Sequence, residues 1–187
     1  VEGRRIAEII HNFYRRRVPG YEHADLTATA ALLGVRESRR ICGDYRLSFD
    51  DYLARRHFAD DIGCFCYPVD IHASTPDAVR QKRVAERMRE TAYLPGENYG
   101  IPYRALIPQE VTNLLTAGRC ISADREVQSS LRVMPACMIT GAAAGTAAAL
   151  AAGNGDVRQV SIGLLRRKLR GLGAYLPEND KEPGIGG

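Results

Sequence analysis

The sequence predicts a mixed α/β (α+β) fold, and three observations carry that prediction. Residues 113–152 hold a short apolar run (Leu114, Leu115), a polar loop with Arg119, Ser122, Asp124 and Arg125, and, from Val133, a charge-free segment dense in alanine. That order reads as buried strand, loop and buried helix, and open α/β sheets bind ligands at such strand ends. Near the N-terminus, Ile6, Ile9, Ile10, Phe13 and Tyr14 recur at the spacing of one helix face. Between these two regions, apolar or alternating stretches are separated by Gly, Pro and Asp, the punctuation of strands and turns.

The elements follow in order. An amphipathic helix is predicted over residues 2–17, with most arginines off the apolar stripe and Pro19-Gly20 as its stop. Residues 26–33 read as a strand or a short helix. One or two strands follow around Tyr45 and Leu47, with a turn or bulge near Gly43; Arg39, Arg40 and Asp44 read either as an ion-pair network or as a cavity lining. Ser48 with Asp51 has the form of a capping box, starting a helix expected to reach Ala59. Residues 62–71 form a strand region that Pro68 bends or keeps at an edge. A charged segment at 75–91 reads as a solvated helix or an insertion. Residues 99–108 cross back as an extended segment. Residues 157–160 are a short extended piece. Ser161 caps a helix bearing Ile162, Leu165 and Leu169, and Gly173 is its stop. The polar tail 178–187 is expected to be disordered.

Composition narrows the function classes. With 187 residues and 45% apolar residues the chain can bury a sizeable core. The net charge of +4 is spread along the sequence rather than gathered in a basic stripe, so no nucleic-acid partner is expected. Five cysteines without regular spacing do not form a disulfide framework, and reduced thiols suit the cytoplasm. Cys64 and Cys66 lie in a predicted strand, and no metal is expected there. Residues 133–152 have the length of a membrane span, but alanine is a weak insertion signal. The favoured reading is a buried helix, with no membrane partner, in which Gly141 and Gly145 pack on the sheet. Its start, at Arg132, Val133, Met134 and Pro135, would present unpaired N–H groups and a positive dipole end. Pro135 suits the first turn, where its missing donor costs nothing.

The stretches GRCIS and RVMPACMITGAAAGTAAALA, with ESRRICGDYRLSFDD, IGCFCYPVDIH and YGIPYRALIP upstream, resemble the C-terminal region of an FAD-dependent oxidoreductase family. That family belongs to the glutathione-reductase-like two-domain flavoproteins. The resemblance covers about residues 33–176, and no GxGxxG dinucleotide fingerprint is present. It implies a partial substrate or cap region over 1–110. Residues 111–176 would be the C-terminal strand and helix of an FAD-binding, Rossmann-like domain, and 177–187 the tail. It also implies that a separate N-terminal FAD-binding segment, or self-association, completes the site.

By the same resemblance FAD is the cofactor. Gly118 lets the backbone approach it, and Arg119, Cys120, Ile121 and Ser122 line its ribityl and pyrophosphate side. Arg132, Val133 and Met134 face the pyrimidine edge of the isoalloxazine. The implied reaction is hydride transfer between a small organic substrate and flavin. Tyr103 and Arg104 are the substrate-side candidates, with a Tyr–Arg stack in the core as the rival reading. His72 is a third catalytic candidate, against a surface or hydrogen-bonded role. Two departures from the family pattern stand out. Asp124-Arg125 replaces a commoner Ser or Thr followed by His, and Gly141-Ala142-Ala143 a commoner Gly-Gln-Ala. The alternative function is a non-catalytic fragment or subunit.

Overall fold

The computed structural model describes residues 2–71, 86, 91–153 and 155–177. The helix expected over 75–91, the candidate His72 and the tail 178–187 fall wholly or largely outside the described residues. The chain divides into two compact units, Val1–Arg36 and Glu37–Gly187.

The first unit is built around α1 (Glu2–Arg17), with Glu2 in its first turn and arginines in its last, as the helix dipole favours. The predicted apolar stripe is present, but no residue of α1 is buried, and Ile9 and Phe13 are more than half exposed. Tyr14 packs its ring on Tyr21, 5.1 Å away. Residues 26–33 adopt neither of the two expected elements.

Among its described residues the second unit holds helices and a two-stranded antiparallel sheet, so the mixed α/β class stands. The Ser48–Asp51 capping box forms, and α2 (Phe49–Leu53) is shorter than the reach to Ala59 that the sequence suggested. It ends as Arg55 turns left-handed at φ 50°. Strand β1 (Asp61–Phe65) pairs with β2 (Tyr99–Pro102), Cys64 lying opposite Gly100, with an irregularity between Asp61 and Cys64. Pro102 is the last residue of β2, where the lack of an N–H is tolerated. The chain then tightens into a 3-10 helix, Tyr103–Leu106, where an extended segment was expected.

Leu114 and Leu115 do not form the expected strand; Leu114 is exposed. The extended segment comes later and is irregular. The Ser122 N–H donates to the Ala105 carbonyl at 2.9 Å, and the Leu47 N–H to the Ser122 carbonyl at 3.1 Å. Gly43 and Leu47 therefore sit in isolated bridges, to Pro108 and Ala123, rather than in strands. Gly43 is needed there: a β carbon would come within 2.7 Å of the Ser122 side chain.

Helix α3 (Arg125–Leu131) occupies what the sequence suggested was loop. Asp124 caps it, accepting from the Val127 N–H at 2.9 Å. Its buried face carries Val127 and Leu131 beside Gln128, Ser129 and Ser130, and the two serines tie it to residues 67–70. Helix α4 (Met134–Ala151) packs on β1 and on α5 (Ile162–Gly171). α5 starts at the predicted Ser161 cap, and Gly173 follows it at φ +89°. Residues 157–159 form a 3-10 turn rather than an extended piece.

Helix α4 corrects one expectation. It buries a single narrow line, Ala136, Thr140, Ala143, Ala147 and Ala151, while Met134 and Met138 on the opposite side are 72% and 70% exposed. Gly141 and Gly145 do not touch the sheet; nothing lies within 4 Å of where their β carbons would be. The close approach comes instead from Gly63 of β1, whose β carbon would overlap the Ile139 side chain. Backbone approach is supplied by glycine on the strand, so small alanines suffice on the helix. Among the described residues this helix alone has the length and apolar composition to cross a membrane.

Candidate functional site

The site is a turn placed against a helix start. Gly118 adopts φ +74°, a left-handed conformation that residues with a β carbon seldom take. The 3-10 turn Gly118–Cys120 follows from it. The Gly118 N–H donates to Thr140 Oγ1 at 2.9 Å, and that hydroxyl donates to the Ala136 carbonyl at 2.9 Å. One side chain of α4 thereby fixes the turn. Arg119 Nε donates to the Arg132 carbonyl at 3.2 Å, and Gln128 Nε2 to the Arg119 carbonyl at 3.3 Å. These bonds hold the turn next to the residues that lead into α4.

Helix α4 begins with Val133 at its N-cap, with no side chain capping it and Pro135 in the first turn. An uncapped helix start leaves donors available and a partial positive charge, the combination that stabilises an electron-rich or anionic group. Arg132 positions this start. It is 9% exposed, and its guanidinium pairs with Glu37 at 3.0 Å and donates to the Asp70 carbonyl at 2.6 Å. Glu37 also faces Arg125 at 3.4 Å.

The structure thus brings Gly118 and Arg119 together with Arg132, Val133 and Met134. Arg119 and Met134 are exposed, and Gly118, Cys120 and Val133 are half-buried. Ile121 and Ser122 are buried; the Ser122 backbone bonds both Ala105 and Leu47, and the Cys120 carbonyl accepts from the Ile41 N–H.

The two described substrate-side candidates sit on the 3-10 helix before this element. Tyr103 is 2% exposed and its hydroxyl donates to the Val157 carbonyl at 2.8 Å. Burial, with Asp156 nearby, pushes that hydroxyl up to about 12. Arg104 clasps Asp60 through Nε and a terminal nitrogen at 2.9 and 3.1 Å, and lies over the Tyr45 ring. The Asp60 pairing raises its guanidinium further above its ordinary value. Asp44 is held by Arg158 in the same two-pronged way, at 2.9 and 3.2 Å.

Sequence reasoning missed two parts of this arrangement. The Thr140 acceptor was hidden inside an apolar helix. Helix α3 had a readable signal: an Asp at 124 with an acid two residues on, the mark of a helix start.

A left-handed glycine turn locked beside an uncapped helix N-terminus defines a site for an anionic or electron-rich cofactor. The model of the FAD dependent oxidoreductase family matches residues 1–169, and this chain belongs to that family. Its cofactor is FAD. No curated protein and no solved structure matches the chain significantly. The residues present fit one end of such a cofactor: donors at the α4 start, a glycine that permits close approach and an exposed Arg119 beside them.

Proposed function

We propose that this chain carries the closing element of the FAD site in an oxidoreductase that transfers hydride between a small organic substrate and flavin. The observation that carries the reading is the uncapped start of α4 lying beside the Gly118 turn, in a chain of an FAD-dependent family. Gly118, Arg119, Cys120, Ile121 and Ser122 would run along the ribityl and pyrophosphate side. Arg132, Val133 and Met134 would meet the pyrimidine edge, with Arg132 holding the helix start in place. Bound FAD supplies the hydride chemistry; the protein supplies orientation and electrostatics. A helix N-terminus stabilises negative charge there by about 0.3–2 kcal/mol.

On this reading residues 111–176 belong to a Rossmann-like FAD domain and 1–110 to a substrate or cap region. An N-terminal FAD-binding segment or a second copy of the chain completes the cofactor site. The absence of GxGxxG from these 187 residues and the exposed face of α4 support that completion. Tyr103, Arg104 and His72 remain the substrate-side candidates, the first two after release from their present partners Val157 and Asp60. Five free cysteines support a reducing, cytoplasmic setting. The packing of α4 on β1 and α5 supports a helix of a protein core rather than a span.

The alternative is a non-catalytic subunit that acquires FAD only with a partner chain. The visible absorption spectrum of the purified chain, with its intact mass checked on the same sample, decides between them. A flavin band supports the first reading. A colourless chain of correct mass that also fails to take up added FAD means that a separate N-terminal segment is needed and that the chain alone is non-catalytic.

A further inference from the structure

A second cluster lies on the hairpin and shares no residue with the Gly118 turn. His57 Nδ1 is 2.9 Å from Asp61 Oδ2. One donor atom each from His57, Asp61 and Cys64 fall within 4.8 Å of one another. His57 comes from the loop after α2, Asp61 from the first position of β1 and Cys64 from the fourth, beyond the irregularity in the strand. Asp61 is 1% exposed, and its Oδ1 has no hydrogen-bond partner among the described residues. A buried carboxylate oxygen left without a donor carries a cost of roughly 1–3 kcal/mol or more. The cradle around it is tight: a β carbon on Gly100 would overlap both carboxylate oxygens.

We propose that His57, Asp61 and Cys64 bind a divalent cation of the zinc class, with water as the fourth ligand. Imidazole, carboxylate and thiolate together suit zinc, and a hard-ion site would be built from oxygens alone. Donors on one tetrahedral zinc stand about 3.3–3.6 Å apart, so the widest of the three separations needs to contract by up to about 1.5 Å. The His57 ring turns from its hydrogen bond to the ion. Asp61 gives the ion a carboxylate oxygen, and the Cys64 thiol binds as thiolate, releasing its proton to solvent. Burial pushes that thiol up to about 12, with Asp61 adding to the rise, so the ion must displace the proton. Two anionic ligands balance the ion's charge. The Arg166 guanidinium donates to the Asp61 carbonyl at 2.7 Å and its field favours the thiolate. The His57 side chain is 26% exposed, which gives the ion a path in. The sequence reading set Cys64 and Cys66 aside as a metal pair. The proposed site takes Cys64 without Cys66. Its effect would be to pin the 54–60 loop to β1.

The test uses the full chain, stripped with a chelator and titrated with zinc against a chromophoric competitor. One equivalent should bind. Cobalt in its place should give d–d bands in the red, beyond flavin absorption, with thiolate charge transfer. His57→Gln and Cys64→Ser should each weaken binding at least about tenfold, as loss of a ligand exceeds loss of its outer support; Cys66→Ser should bind as the parent does. A second readout needs no variant: zinc should protect Cys64 from alkylation, mapped by mass spectrometry, and leave Cys66 reactive. No bound equivalent, or one that survives Cys64→Ser, or a Cys64 equally alkylated with and without zinc, overturns the site. None of these readouts depends on whether the chain holds flavin.

Discussion

The β1–β2 hairpin and the Gly118 turn use glycine for opposite ends. On the hairpin, Gly63 and Gly100 are there for lack of space. One admits the half-buried Ile139 of α4 and the other admits the buried Asp61 carboxylate. At the turn, Gly118 has room for a β carbon, whose closest neighbour would be Cys137 Sγ at 3.6 Å, and the requirement is its φ of +74°. The hairpin is closed around its glycines. The turn lies half-buried beside a helix start that no side chain caps. A closed region serves stability, while a fixed but open one can receive a cofactor.

Substitutions sharpen that contrast. The largest effect belongs to the hairpin: Gly100→Ala and Gly63→Ala should each lower unfolding free energy by about 1–3 kcal/mol or more, because each added methyl overlaps a neighbouring side chain that must move. Urea midpoints unchanged in both would mean the hairpin is not clamped as described. Gly118→Ala should cost about 1–3 kcal/mol through backbone strain alone. Because Thr140 Oγ1 takes the Gly118 N–H, Thr140→Val should weaken flavin retention in the same direction. The two would be separated by differential scanning and by flavin released on gel filtration.

Arg119→Ala should leave stability within about 0.5 kcal/mol, the side chain being exposed, yet raise the FAD dissociation constant. Equal FAD affinity in that variant would remove Arg119 from the cofactor face. The smallest effect, and of opposite sign, is expected at Gly141→Ala. With nothing within 4 Å to meet it, the methyl group should stabilise α4 by about 0.5–1 kcal/mol. A loss at that position would restore the close packing that the sequence alone suggested for it.

Local signals were legible where the chemistry is local. The Ser48–Asp51 box, the Ser161 cap and the Gly173 stop all form, because a cap needs only residues three or four apart. The Gly118 and Val133 elements were readable as a resemblance, and the structure shows the bonds that join them. Helix α1 shows the limit of pattern. Its apolar stripe is regular, yet nothing in α1 is buried, whereas α4, apolar nearly all round, buries one line of small side chains.

The sequence by itself determined helices α1, α4 and α5, the caps at Ser48 and Ser161, the absence of a dinucleotide fingerprint and, through its motifs, the FAD-dependent family. Only the tertiary structure decided which glycines are spacers, that Thr140 holds the turn, that Tyr103 and Arg104 are engaged by Val157 and Asp60, and that His57, Asp61 and Cys64 converge. The physical reason is range. Capping and periodicity act within a turn or two of chain, but close approach and side-chain pairing join residues such as Gly63 and Ile139 that only packing brings into contact.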